Sequence, residues 1–247
     1  MSDDDGSQPR DPVHIWLVYP HRISRPSRIA DYEKMLDEEE RRRYGRFFHR
    51  HDAHTFLVSH ALVRSALSLH VPWVSPEMWQ FRQSRFGRPF ISFPEECSDW
   101  RFSLSHCQGL AACMVACGVD VGVDVESLDR QADMEAIARQ FFAKNEIELL
   151  RQTPDASRQT VFIRLWTLKE AYLKARGTGL STPLSHCAFD VLDPSHVRVA
   201  FHGDLDDVSE QWVFKVTVLD GTHVMGIAAK RNDMNQSFQI RTNAFVP

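Results

Sequence analysis

The chain has 247 residues, 43% of them hydrophobic, which is enough for one large domain or two small ones. With a formal net charge of −4, it lacks the overall positive charge that is typical of nucleic-acid-binding proteins. Uncharged apolar runs fall short of the roughly 18 residues that a membrane span needs. The five cysteines form no Cys-x-x-Cys pair, which favours reduced thiols over a zinc site. These features predict a cytoplasmic protein without nucleic-acid or membrane partners.

The predicted elements follow one another in mixed order. Residues 1–12, which are rich in Asp, predict a disordered tail. Helical periodicity predicts helices at 31–48, 52–70, 134–142, 146–151 and 158–176. Alternation and β-branched content predict strands at 13–19, 102–104, 110–116, 119–125, 188–192, 197–201, 212–219 and 223–229. Because the strands form hairpins rather than regular β-α-β units, the order predicts an α+β fold.

Acidic residues alternate with valines in the predicted strand at 119–125. The valines share one face, and the other face carries Asp120, Gly122, Asp124 and Glu126. At a rise of about 3.3 Å per residue, Asp124 and Glu126 project in parallel from positions roughly 6.6 Å apart. Asp and Glu are poor strand formers, so their presence here indicates a function. A solvated edge of an antiparallel sheet is the alternative.

A third acid lies on the predicted helix at 158–176. Trp166, Glu170 and Lys174 recur at i, i+4 steps and therefore share one stripe of that helix. An ordinary surface ion pair, worth about 0.2–0.5 kcal/mol, is the alternative for Glu170 and Lys174. Three carboxylates from two segments, without clustered cysteines, favour Mg²⁺ over Zn²⁺. With the lysine beside them, they predict a site that holds a hard cation against a phosphate.

These two acidic segments resemble a known signature. Asp124-Val-Glu126, followed by Trp166-x-x-Lys169-Glu170-Ala171-x-x-Lys174, is similar to the signature of 4′-phosphopantetheinyl transferases of the Sfp type, in its Trp/Lys-Glu-Ala subgroup. The resemblance runs from about residue 39 to residue 183. Further matches occur in the family's order at Arg46-Phe47-Phe48-His49, Gly87-Arg88-Pro89, Phe102-Ser-Leu-Ser-His106, Phe141-Phe142-x-x-x-Glu146 and Gly177-x-Gly179-Leu180.

The resemblance implies a fold and a reaction. The fold is two similar α+β halves in a pseudo-twofold arrangement, here 13–117 and 118–247, with the metal site in the second. The reaction is Mg²⁺-dependent, with Mn²⁺ as a substitute: a serine of an apo acyl or peptidyl carrier protein takes 4′-phosphopantetheine from coenzyme A, releasing 3′,5′-ADP. The protein would act as a monomer. A non-catalytic module that binds coenzyme A or carriers is the alternative, and an unrelated metal-dependent phosphodiesterase is a third reading.

The resemblance also assigns roles to residues. Metal ligation falls to Asp124, Glu126 and Glu170, and catalysis to Glu170 and Lys174. The serine proton goes to Glu170, with Glu126 or a hydroxide on the metal as alternatives. Contacts to coenzyme A fall to Arg43, Arg46, Arg88, Ser105, His106, Lys169 and Lys174, although Lys169 is also explained as a solvated side chain. Glu40 departs from the family, whose members often carry lysine or arginine there.

Overall fold

Two β-sheets pack face to face, and each carries a long helix on its outer side. The computed structural model describes residues 11–193 and 195–245. Its helices are α1 (Pro26–Met35), α2 (Glu38–Tyr44), α3 (Arg50–His70), α4 (Met134–Phe141), α5 (Lys144–Gln152) and α6 (Asp155–Arg176). Its strands are β1 (Asp11–Val18), β2 (Gln80–Gln83), β3 (Pro89–Phe93), β4 (Trp100–Cys107), β5 (Leu110–Cys117), β6 (Val121–Ser127), β7 (Cys187–Asp190), β8 (Arg198–Phe201), β9 (Trp212–Leu219), β10 (His223–Lys230) and β11 (Phe238–Ala244).

The first sheet has the strand order β11-β1-β5-β4, and the second has the order β6-β10-β9. All pairings in them are antiparallel except that of β1 with β11. Two short hairpins, β2–β3 and β7–β8, lie outside these sheets. Among the described residues, none of the helices combines the length and apolar character that crossing a bilayer requires.

Three apolar layers hold this arrangement together. Ile15 and Met114 of the first sheet meet Val123 and Ile227 of the second in a fully buried layer between the sheets. Helix α3 packs on the outer face of the first sheet, and α6 packs on the outer face of the second. The predicted α+β class, with two similar halves, is confirmed. Each half consists of a sheet and one long helix.

The last strand connects the two halves. β11 pairs in parallel with β1 and so belongs to the first sheet, although it comes from the predicted second half. The predicted division at 117/118 lies in the loop between β5 and β6, and it stays a prediction. Of the tail predicted at 1–12, residues 1–10 lie outside the described part of the chain. Asp11 and Pro12 are the first residues of β1.

The single helix predicted at 31–48 is wrong. Leu36 and Asp37 adopt extended backbone, which separates α1 from α2. Asp37 accepts a hydrogen bond from the Glu40 N–H at 2.8 Å, and the Glu40 carboxylate accepts one from the Asp37 N–H at 2.9 Å. This capping box starts a new helix, so the acids at its first turn cap α2 rather than extend α1. The sequence reasoning also missed β2, β3 and β11, whose residues are mostly exposed or half-buried and lack a clear apolar alternation.

Two glycines allow α6 to lie unusually close to the second sheet. A Cβ atom added at Gly122 of β6 would lie 1.9 Å from the Ala171 carbonyl oxygen, and one at Gly226 of β10 would lie 2.5 Å from Thr167 backbone atoms. Gly226 is the cross-strand partner of Asp124. The helix backbone therefore rests directly on the strand that carries the acidic residues.

The substitution Gly122→Ala should destabilise the protein by about 3 kcal/mol, because its methyl group would force α6 away from β6. Urea unfolding measures the change. Gly45→Ala is the matched control, since Gly45 has φ −69 and its nearest contact to an added Cβ is 3.6 Å. The control should shift the unfolding free energy by less than about 0.5 kcal/mol. Equal unfolding midpoints for Gly122→Ala and the unchanged protein would contradict the close-contact argument.

Candidate active site

Helix α6 and strand β6 bring four of the predicted residues together. Lys174 Nζ lies 2.7 Å from Asp124 Oδ1 and donates a further hydrogen bond to the Val123 carbonyl at 3.1 Å. Glu126 follows on the same strand, and Glu170 lies one turn before Lys174 on the helix. We call Asp124, Glu126 and Glu170 the acid cluster.

Asp124 is almost fully buried, and its two carboxylate oxygens differ. Oδ1 accepts hydrogen bonds from Ser105 Oγ at 2.8 Å and from Lys174 Nζ. Oδ2 is buried and has no hydrogen-bond partner within the described residues. A buried carboxylate oxygen without a partner is costly, and a cation would relieve that cost.

The other two acids lie in an electrostatically unfavourable environment. Burial raises the pKa of Glu170, and the charge of Asp124 raises it further. Burial and Asp124 also raise the pKa of Glu126. Lys174 and Arg130 act in the opposite direction on both groups. Three carboxylates thus face two cations, so the cluster retains unbalanced negative charge.

The donor set fits a hard divalent cation such as Mg²⁺ or Mn²⁺, because every donor is a carboxylate oxygen and one of these oxygens is unpaired. Among the described residues, no group of three or more His, Cys, Asp or Glu side chains has the geometry of a complete metal-binding site. The assignment of the acid cluster as metal ligands therefore stays a prediction.

Arg130 is a member of the site that the sequence reasoning missed. Its guanidinium donates to Glu126 Oε1 and lies over the Trp166 ring, 5.3 Å from the centroid. The tryptophan of the signature thus supports the arginine that holds Glu126. Glu126 and Arg130 are four residues apart, but this spacing predicts a side-chain contact only within a helix. Here β6 ends at Ser127 and a loop follows, so the sequence did not indicate the contact.

Two serines on β4 join the two sheets beside the acid cluster. No backbone ladder links β4 to β6. Instead, the Ser103 hydroxyl accepts a hydrogen bond from the Val123 N–H at 3.0 Å, and the Ser105 hydroxyl accepts one from the Val125 N–H at 3.2 Å. Both serines are buried. Ser105 donates its own hydroxyl proton to Asp124, and its predicted contact to coenzyme A stays a prediction.

His106 lies next in β4 and is an exposed residue. Partial burial lowers the pKa of this histidine, and the charges of His60, Lys174 and Arg43 lower it further. It therefore lies within electrostatic reach of both Lys174 and Arg43. The imidazole is available to a ligand, and its predicted contact to coenzyme A stays a prediction.

Two neighbouring cavities open at this site. The α6 cavity, of about 270 Å³, has Arg88, Glu170 and Lys174 among its lining residues. The α2–α3 cavity, of about 590 Å³, is lined by charged and aromatic side chains that include Arg43 and His60. The two cavities share the wall residues Pro89, Phe102 and Leu104.

The predicted arginines differ in their access to these cavities. Arg88 is held by Asp120, with 2.7 Å between Nη2 and Oδ1, at the edge of the α6 cavity. Arg43 lines the α2–α3 cavity with its guanidinium 5.1 Å from the centre of the Phe56 ring. Arg46 is exposed in the turn after α2 and is not part of either cavity wall. The structure thus favours Arg43 over Arg46, and both assignments stay predictions.

Glu40, the departure from the family pattern, has a structural role. Its carboxylate accepts hydrogen bonds from His60 Nδ1 at 2.7 Å and from Arg64 Nη2 at 2.6 Å, in addition to capping α2. Arg64 is fully buried. Burial alone would raise the pKa of Glu40, but His60, Arg64 and the Asp37 N–H together lower it to about 2. An acid in this position ties α2 to α3.

Lys169 is fully buried, so the expectation that it contacts coenzyme A is wrong, and so is its alternative as a solvated lysine. Its ammonium lies 2.7 Å from Glu146 Oε2 and donates to the Leu184 carbonyl at 2.9 Å. Glu146 is equally buried and accepts the Phe189 N–H at 2.8 Å. The pair therefore ties α6 to α5 and β7, away from both cavity walls.

Comparisons with known proteins agree with the resemblance. Residues 120–228 match the family described as the 4′-phosphopantetheinyl transferase superfamily, and residues 25–118 match the 4′-phosphopantetheinyl transferase N-terminal family. The 4′-phosphopantetheinyl transferase HetI of Nostoc sp. is 36% identical over 172 residues, which cover 69% of this chain and 71% of HetI. The 4′-phosphopantetheinyl transferase Sfp of Bacillus subtilis is 27% identical over 224 residues, covering 90% of this chain and 94% of Sfp.

A further relative, the 4′-phosphopantetheinyl transferase gsp of Aneurinibacillus migulanus, is 31% identical over 150 residues, covering 61% of this chain and 60% of gsp. The chain belongs to the 4′-phosphopantetheinyl transferases, and the Sfp type and the enzyme class predicted from the sequence are confirmed. The Trp/Lys-Glu-Ala subgroup stays a prediction.

The substitution Lys169→Met should destabilise the protein by about 3–5 kcal/mol, because it leaves the buried Glu146 carboxylate without its cation. Adding Glu146→Gln should recover part of that loss. Urea unfolding measures both, and Lys144→Met, at an exposed position on α5, is the control with little effect. Coenzyme A affinity of the double variant should match that of the unchanged protein. A large loss of affinity without a loss of stability would restore Lys169 as a ligand contact.

The ion pairs of Glu40 predict a dependence of stability on pH. Its pKa is lowered from 4.5 to about 2 in the folded protein, so its stabilisation is present above pH 4.5 and is lost as pH falls toward 2. Glu40→Gln should therefore cost roughly 3 kcal/mol at pH 7 and progressively less below pH 4.5. Urea unfolding at pH 7, 4.5 and 3 measures the difference. Glu39→Gln, at the exposed neighbouring position, should not change the unfolding free energy at any of these pH values. A loss of stability for Glu40→Gln that is the same at all three pH values would contradict the lowered pKa of Glu40.

Proposed function

We propose that this chain transfers 4′-phosphopantetheine from coenzyme A to a serine of an apo acyl or peptidyl carrier protein, with Mg²⁺ or Mn²⁺, releasing 3′,5′-ADP. The observation that carries the proposal is the acid cluster with its unpaired Asp124 oxygen, beside a cavity lined by Lys174 and Arg88. The name that the relatives share, 4′-phosphopantetheinyl transferase, supports the group that is transferred.

Asp124, Glu126 and Glu170 would hold the divalent cation. When bound, the cation supplies positive charge to the oxygens of the coenzyme A diphosphate. Arg130 donates a hydrogen bond to Glu126, and Lys174 donates one to Asp124. These two contacts keep like charges together and fix their orientation before any substrate enters.

Lys174 has a second role in this proposal. Its ammonium is partly exposed and lines the α6 cavity, where the diphosphate is to bind. Negative charge grows on the leaving phosphate as its bond to the pantetheine phosphate breaks, and a fixed cation stabilises that charge. Arg88 and His106 supply further positive or hydrogen-bonding groups for the nucleotide.

Glu170 is the proposed proton acceptor. The serine hydroxyl oxygen attacks the phosphorus that carries pantetheine, its proton passes to Glu170, and the electrons of the broken P–O bond leave with 3′,5′-ADP. Burial and Asp124 raise the pKa of Glu170, which makes its carboxylate a stronger base. Glu126 is the weaker candidate because Arg130 occupies one of its oxygens.

Intact-mass analysis of a carrier protein tests the function. After incubation with coenzyme A and Mg²⁺, apo-carrier should gain the mass of one phosphopantetheinyl group, and 3′,5′-ADP should appear in equal amount. Chelation of the metal should stop both, and Mg²⁺ or Mn²⁺ should restore them. An unchanged carrier mass would favour a binding module, and cleavage of coenzyme A without a modified carrier would favour a phosphodiesterase.

The substitution Glu170→Gln should lower the transfer rate by about 10²–10⁴-fold, because the serine then lacks its proton acceptor. Its unfolding midpoint should not fall, since Glu170 is repelled by Asp124 and Glu126 in the folded protein. Glu148→Gln, in an exposed ion pair on α5, is the matched control and should keep full activity. Undiminished transfer by Glu170→Gln would remove Glu170 from the mechanism.

That the protein acts as a monomer is a separate proposal.

A further inference from the structure

Ser103 and Ser105 form a natural matched pair. They lie two residues apart on β4, so their side chains share one face, and both are buried. Each hydroxyl accepts one backbone N–H from β6, at 3.0 Å for Ser103 and 3.2 Å for Ser105. Only Ser105 also donates to a carboxylate, that of Asp124, at 2.8 Å. The two serines therefore share the role of joining the sheets and differ in their relation to the acid cluster.

The contact to Ser105 restricts the orientation of Asp124. Ser105 and Lys174 bind the same oxygen, Oδ1, from two different elements, β4 and α6. Two bonds to one oxygen of a planar group fix the plane of that group, so Oδ2 is fixed as well. Oδ2 is the oxygen that has no partner among the described residues. The free oxygen is thus held in one place by hydrogen bonds to the other one.

We infer that Ser105 is a positioning residue that orients Asp124 for binding the divalent cation. The inference rests on the proposed function, in which Asp124 is a metal ligand. Partners that hydrogen-bond a ligating carboxylate typically change metal affinity by about 10–100-fold when they are removed. A serine without a hydrogen bond to the acid cluster should leave the affinity for the metal alone unchanged on removal. Ser103 is such a residue in the same strand: it lines the α6 cavity, but within the described part of the chain its hydroxyl is hydrogen-bonded to the Val123 N–H and to no acid of the cluster.

Titration of the purified protein with Mn²⁺, followed by electron paramagnetic resonance of the free ion, tests the inference. It is carried out with and without coenzyme A. Ser105→Ala should weaken Mn²⁺ binding by about 10–100-fold, whereas Ser103→Ala should bind Mn²⁺ like the unchanged protein. Both variants should unfold at a lower urea concentration than the unchanged protein, because each leaves one buried N–H of β6 without an acceptor. In the transfer assay, Ser105→Ala should require more Mg²⁺ for half-maximal activity, while Ser103→Ala should not.

Equal Mn²⁺ affinities for the two alanine variants would overturn the inference, even if both are less stable. Ser105→Cys is the second variant if Ser105→Ala does not fold: it keeps the shape but donates weakly, so its Mn²⁺ affinity should fall between those of the unchanged protein and the expected alanine value. An affinity equal to that of the unchanged protein would again contradict the positioning role. Failure of the proposed function gives a different result, since the unchanged protein would then not modify a carrier, whatever its affinity for Mn²⁺.

Discussion

The close contact between α6 and the second sheet determines the geometry of the site. Gly122 and Gly226 leave no side chain between the helix backbone and β6 or β10. Lys174 can therefore reach both the carbonyl of Val123 and the carboxylate of Asp124. With larger residues at the two glycine positions, the helix would stand further out and the acids would no longer share one environment.

That proximity has an electrostatic cost, which the protein offsets in part. Burial and mutual repulsion raise the pKa values of Glu126 and Glu170, and Lys174 and Arg130 compensate only two of three charges. A site of this kind favours a positively charged ligand, because binding of the ligand reduces the repulsion among the buried carboxylates. The supporting contacts come from all sides: Ser105 from the first sheet, Arg130 from the loop after β6, and Lys174 from α6.

The sequence predicted the acid cluster because the two-residue repeat of β6 and the helical repeat of α6 were both uninterrupted. Alternation with valines placed Asp124 and Glu126 on one face, and the helical repeat placed Glu170 beside Lys174. It failed where the decisive partner is distant in sequence. Nothing near Lys169 shows that Glu146 and β7 enclose it, and nothing near Ser105 shows that β6 lies across from it. At α2 the local signal was present, because Asp37 with Glu40 three residues later is a capping-box pattern, but one continuous helix was predicted across it.

The parallel pairing of β11 with β1 has a consequence for the order in which the protein takes shape during translation. The N–H and C=O groups along one side of β1 have no ladder partner until residues 238–244 have left the ribosome. Both long helices, α3 and α6, precede these residues in the chain and can already collapse by then. Until β11 emerges, the nascent chain carries an open sheet edge, a feature that favours pairing with other chains unless it is shielded.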